Sequence, residues 1–217
     1  MADERTIKEQ RIWERLAPRY DAQSAGLIDS AYRRTIEKAI AACDSECLAL
    51  EIGCGTGIVT LGLAPHCKAI CGYDLSRAMI VQAQSKLARS GLENVTFEVG
   101  DGYHLPHEDA SFDLVLIPNV LHFLQDPGAQ MHEAHRLLRP GGTLITVTDC
   151  FGEEMGLATR LKVGLQTLLY GLGMIPYLHN WSRADVRALH EPKRWELIED
   201  GDLYDDPVNY FLRAKAR

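Results

Sequence analysis

The sequence predicts an α/β fold, a doubly wound and mostly parallel sheet with helices on both faces. Three observations carry this. The apolar run Cys47-Leu48-Ala49-Leu50 enters the glycine-rich turn Glu51-Ile52-Gly53-Cys54-Gly55-Thr56-Gly57, and a helix-like segment follows from Ile58 to Ala64. Strand patterns near 47–52, 69–73, 95–99, 112–117 and 143–148 then alternate with helical patterns near 57–65, 76–90 and 126–139. Finally, Trp195-Glu196-Leu197-Ile198 and Tyr210-Phe211-Leu212 read as two closing strands joined through the turn residues Asp205-Asp206-Pro207, an antiparallel pair at the sheet edge.

The elements follow in order. From Ile7 to Tyr20, the residues Ile7, Ile12, Trp13, Leu16 and Tyr20 recur at amphipathic helical spacing, with Pro18 bending or ending the helix. A second helix is expected over 32–43. Ser76 is placed to cap the helix over 76–90, and Gly91 to stop it. Beyond Asp149 the alternation ends, and residues 163–178 contain no charge. That segment has three readings: a helix packed on the core, a lid over an apolar pocket, or a weak membrane-surface contact, with Arg160 and Lys162 nearby.

At 217 residues the chain suits one substantial core. A net charge of −7 excludes a broadly basic surface, so a nucleic-acid partner is not expected. The charged start and the lack of a long apolar run predict neither a signal peptide nor a transmembrane helix. Six cysteines, several in strand patterns, fit a reduced, cytoplasmic setting. Cys43, Cys47, Cys67 and Cys71 form two C-x3-C pairs starting from neighbouring strands, so no metal site is expected. His132-Glu133-Ala134-His135 is one residue short of the zinc-protease spacing.

The glycine turn narrows the ligand. A dinucleotide fingerprint needs a small residue where Ile58 stands, and a phosphate-cradling loop needs a lysine that is absent. An acid, Glu51, instead precedes the first glycine, which suits a cofactor bearing an ammonium group and no phosphate. S-adenosylmethionine (SAM) has that character. Four more elements recur in step: Ile70-Cys71-Gly72-Tyr73-Asp74, Gly100-Asp101-Gly102, Phe112-Asp113-Leu114-Val115-Leu116-Ile117 and Arg139-Pro140-Gly141-Gly142. Over roughly residues 45–150 the chain thereby resembles the class I SAM-dependent methyltransferases, in particular the small-molecule enzymes related to the quinone-biosynthesis group.

The resemblance implies a Rossmann-like seven-stranded sheet of order 3-2-1-4-5-7-6 with strand 7 antiparallel. It implies a single domain, in which N-terminal helices over 1–44 cover a SAM-binding core over 45–217 with an apolar insert near 151–180. The stretch Ala17-Pro18-Arg19-Tyr20-Asp21 matches the part that folds over the cofactor. Gly53, Cys54, Gly55 and Gly57 would approach the methionine part, with Glu51 orienting it. Asp74 would accept from the ribose hydroxyls and Leu75 would pack on the adenine. Asp101, Gly102 and Tyr103 would line the base. Both aspartates also suit ordinary turns. Asn119, in Pro118-Asn119-Val120-Leu121-His122, would receive the ammonium through backbone carbonyls.

The implied activity is methyl transfer from SAM to a small, apolar or amphiphilic acceptor, leaving S-adenosylhomocysteine (SAH). The alternative is a non-catalytic SAM- or SAH-binding sensor or scaffold. His122 and Tyr20 are the candidate catalytic residues for an acceptor that must lose a proton. A histidine merely packed at a helix start remains an equal reading of His122, and His104 and His107 lie in a loop near the adenine side. No metal is expected beside the cofactor.

Overall fold

The computed structural model describes residues 4–24, 27–124, 126–171 and 174–217. Met1 to Asp3, and residues 172–173 of the uncharged segment, lie outside them.

Seven strands form one sheet: β1 (Leu48–Ile52), β2 (Ala69–Asp74), β3 (Val95–Val99), β4 (Phe112–Pro118), β5 (Leu138–Cys150), β6 (Trp195–Asp205) and β7 (Val208–Ala216). Their order is β3-β2-β1-β4-β5-β7-β6. The first five are parallel, and β7 runs antiparallel to both β5 and β6. The helices are α1 (Glu4–Leu16), α2 (Tyr20–Ser24), α3 (Leu27–Ile40), α4 (Ile58–Leu63), α5 (Arg77–Ser90), α6 (Pro127–Leu137), α7 (Leu157–Gly171) and α8 (Arg183–Ala188).

The strands are apolar on both faces because both faces are covered. Leu50, Val115, Ile117, Leu144 and Leu212 face one core cluster, with Met131 and Ala134 of α6 and Val186 of α8. Their neighbours Ala49, Leu114, Leu116, Ile145 and Phe211 face the other, under α3, α4 and α5. Period-two alternation thus feeds two cores at once.

Local chemistry sets the boundaries. Ser76 Oγ accepts from the Met79 amide, and Gly91 stops α5 at φ +73°. Pro18 starts a one-turn 3-10 helix between α1 and α2. Three expectations shift. The second N-terminal helix lies at Leu27–Ile40 rather than 32–43. β5 begins at Leu138, because Arg139 to Gly142 bulge out within the strand while Leu138 already pairs with Phe112. The closing strands extend well beyond the two short apolar runs, paired along their length.

Candidate active site

The sheet order reverses between β1 and β4, and a cavity of about 480 Å³ opens at their C-terminal ends. The glycine turn forms its floor. Gly53 has φ +73°, and a Cβ there would lie 2.2 Å from Val120 Cγ2. Gly57 has φ +80°, and a Cβ there would meet Phe97 at 2.7 Å. Only glycine satisfies both demands. The Gly53 and Cys54 amides both donate to the Tyr73 carbonyl, at 2.7 and 2.9 Å, which draws the turn against β2.

Asp74 ends β2 and fixes the turn further. Its Oδ2 accepts from the Gly55 amide and its Oδ1 from the Ser76 amide, both at 2.8 Å. The carboxylate therefore serves as an ordinary turn former, and it also lines the cavity. Burial lifts its pKa to about 6, against the pull of those two amides. Glu51, on the α4 side of β1, is 2% exposed and accepts from Thr60 Oγ1. Burial lifts its pKa to about 8, with Asp74 adding to the rise. Cys54, Gly55 and Leu75 also line the cavity.

These two acids make stability depend on pH. A carboxyl whose folded pKa is raised stabilises most below its unfolded pKa, near 4. That contribution is lost as pH climbs through about 6 for Asp74 and about 8 for Glu51. Buried His122 and His190, held near pKa 4, oppose this up to about pH 6.5, so the ligand-free protein should lose thermal stability between about pH 6.5 and 8. Glu51→Gln should flatten the upper part of that fall, as read by Tm across a buffer series. An equal slope in the variant removes Glu51 as its source.

The N-terminal helices close the cavity from above. Asp21 accepts from Thr56 Oγ1 at 2.6 Å and pairs with Lys86 at 2.6 Å, tying α2 to the glycine turn. Glu14 of α1 accepts from the Ala78 amide in the first turn of α5, where the helix dipole favours a carboxylate. Tyr20 lies on Gly55, its Cε1 4.0 Å from where a Cβ would stand. Its hydroxyl is 2.6 Å from that of Tyr32, a residue of α3. With Trp13, which sets its ring edge-on to Phe123 at 4.9 Å, these side chains give the cavity an aromatic end.

At the opposite side, Asp101 is exposed and accepts from the Tyr103 amide at 3.0 Å. Gly102, at φ +79°, is held by Gln130, whose Nε2 donates to its carbonyl at 2.8 Å. Asp101, Tyr103, His104 and Gln130 line this side. Asn119 ends β4 in the left-handed region, at φ +56°, and lines the cavity. Its Oδ1 accepts from Asn209, which also donates to Asp149 at 2.7 Å. A strained non-glycine backbone held by a network is a frequent mark of a functional site.

His122 is not brought to the cavity wall, contrary to the expectation that it faces an acceptor. The one-turn 3-10 helix Leu121–Phe123 rotates it inward, to 2% exposure. There its Nδ1 lies 2.8 Å from Thr148 Oγ1 and accepts from the Asp149 amide at 3.4 Å. Burial lowers its pKa to about 4, so it is neutral near pH 7. His107 bonds Tyr73 and packs on Phe112, away from the cavity. The six cysteines are free, and the described residues hold no group of three or more ligands able to bind a metal.

Sequence reading missed Glu9, Trp13, Tyr32, Phe123 and Gln130, which also line the cavity. In the sequence Trp13 carries only the signal of an amphipathic helix. The others lie on helices or turns whose local pattern carries no sign of what they face.

Residues 50–146 match the methyltransferase domain family. The chain is 31% identical over 142 residues to a demethylmenaquinone methyltransferase of Lactiplantibacillus plantarum, covering 63% of this chain and 60% of that one. It is 36% identical over 126 residues to ajmaline N-methyltransferase of Rauvolfia serpentina, covering 57% and 43%. The chain spans about half the length of the curated relatives it matches. In fold it is similar to the N-methyltransferase NodS of Bradyrhizobium japonicum, solved with SAH, at a TM-score of 0.72, 18% identity and 99% coverage of each chain. Residues 50–146 thus match a methyltransferase domain, and the sheet order β3-β2-β1-β4-β5-β7-β6 is the one that the resemblance implies.

Proposed function

We propose that the protein transfers a methyl group from SAM to a small, apolar or amphiphilic acceptor by in-line displacement. The observation that carries this reading is the shape of the cavity. Acids line its glycine-turn side, aromatic side chains form its other end, and the N-terminal helices close over both. Glu51 and Asp74 suit the cofactor, since a carboxylate oxygen can accept more than one hydrogen bond, and an ammonium and a ribose diol would add donors to those the protein already supplies. Tyr20, Gly53, Cys54, Gly55, Gly57, Leu75, Asp101, Gly102, Tyr103 and Asn119 complete the proposed binding set.

SAM supplies a methyl group already activated by a cationic sulfur. The chain's own part is then positioning and exclusion of water. Tyr20, tied to Tyr32 and resting on Gly55, would hold the acceptor's approach while the Asp21 anchor keeps the lid shut. Among the described residues at the aromatic end, Trp13, Tyr20, Tyr32, Phe123 and Leu124, none is a histidine. Tyr20 is then the candidate at that end for an acceptor that must lose a proton. Buried His122 then supports the turn bearing Phe123, whose ring lies 4.1 Å from its own.

Methyl-labelled SAM, incubated with the protein and a fractionated cell extract, tests the reading. Protein-dependent label is expected in a small-molecule fraction. Label in acid-precipitable material would overturn the acceptor class. SAM binding with no transfer into any fraction would favour the sensor. With the acceptor found, His122→Gln should lower Tm yet keep most of the transfer rate, whereas a loss of roughly 100-fold or more would restore His122 as a general base.

A further inference from the structure

Four of the five leucines of α7 point outward. Leu157, Leu161, Leu165 and Leu168 are 74%, 69%, 56% and 63% exposed. The side chains turned toward the protein are Thr159, Val163, Gln166, Leu169 and Tyr170, all half-buried. On an ordinary surface helix the leucines would face in and the polar residues out. Here the order is reversed, and half-exposed Met174 follows the helix.

At about 100° per residue the four leucines fall on an arc about 80° wide, with Arg160 about 60° beyond one edge and Lys162 about 60° beyond the other. Long cationic side chains flanking an apolar stripe can lay their stems along it and carry their charge to its margins. No acidic residue lies on the helix. On its inward side, opposite the leucine row, α7 meets α1. Lys8 Nζ lies 5.4 Å from the centre of the Tyr170 ring, and Arg15 donates to the Met174 carbonyl at 2.7 Å.

We infer that α7 is a membrane-surface helix, which seats its leucine row in the outer region of a bilayer carrying anionic headgroups. Charge complementarity selects this occupant. Two α7 helices paired across a two-fold axis would bring four cations together with no carboxylate on either helix to receive them. An anionic lipid surface takes the leucines and the cations at once. At 15 residues α7 is too short to cross a bilayer, and no described helix is long and apolar enough to do so. The placement also bears on the cavity, since α1 carries both Trp13 and the contacts to α7.

Flotation with vesicles of phosphatidylcholine alone, or with a third phosphatidylglycerol, tests this on the full chain without SAM. Binding to the anionic vesicles is expected to be roughly tenfold tighter than to the neutral ones, and to weaken with salt. The triple variant Leu161→Ser, Leu165→Ser, Leu168→Ser should lose it, and Arg160→Glu with Lys162→Glu should lose the anionic preference. These positions are exposed and outside the cavity, so SAM affinity should stay at the parent value. That measurement separates a failure here from a failure of the methyl-transfer reading. Equal binding to neutral vesicles, or no binding by a parent protein that light scattering finds dimeric or monomeric, overturns the inference.

Discussion

Asp74→Ala is expected to weaken SAM binding by roughly 100-fold, while the protein still folds. Hydrogen bonds to a charged group contribute about 1.5–3 kcal/mol each. Loss of about 3 kcal/mol in all corresponds to about two powers of ten in affinity. The variant also strips the Gly55 and Ser76 amides of the acceptor they share. The glycine turn should therefore loosen before any ligand arrives, and Tm should drop in the ligand-free protein too. Asp74→Asn separates the two effects. Its amide oxygen can still take one of the two backbone donors, so it should recover part of the stability and little of the affinity. Calorimetric titration with SAM checks both variants. Affinity within threefold of the parent, in a folded Asp74→Ala protein, would overturn the ribose assignment.

That Asp74 could be singled out at all reflects where its constraints lie. An acid at a strand end, followed two residues on by a helix-capping serine, is a local signature, and the structure uses it locally. The same holds for Gly53, Gly57, Gly91 and the alternation of strands, each read from adjacent residues. Long-range placements were not legible. Tyr32 meets Tyr20 because α3 and α2 converge over β1, and Gln130 reaches Gly102 across 28 positions of chain. His122 carried two equal readings because a single turn of 3-10 helix decides whether it packs or faces the cavity, and the residue string does not encode that rotation. The uncharged segment kept its three readings for a different reason. Its composition was plain, but whether its leucines face the core depends on which side of α7 the protein occupies.

Gly53→Ala should be the most damaging single methyl in the molecule's glycine turn. Two costs combine. A side chain in the left-handed region costs about 1–2 kcal/mol. Overlap with Val120, 2.2 Å from the new Cβ, should add about 1–3 kcal/mol as the wall is pushed back. For a chain of this size the sum should lower Tm by roughly 5–15 °C. Val120 cannot yield freely, because Asn119 beside it is already left-handed and pinned by Asn209. Movement there would also disturb the cavity wall, so SAM binding should fail together with stability. The double variant Gly53→Ala, Val120→Ala removes the overlap and leaves the backbone strain. It should regain about half of the lost Tm relative to Val120→Ala alone. Full recovery would show that φ +73° at Gly53 costs an alanine nothing, and no recovery would show that the overlap with Val120 was never the obstacle.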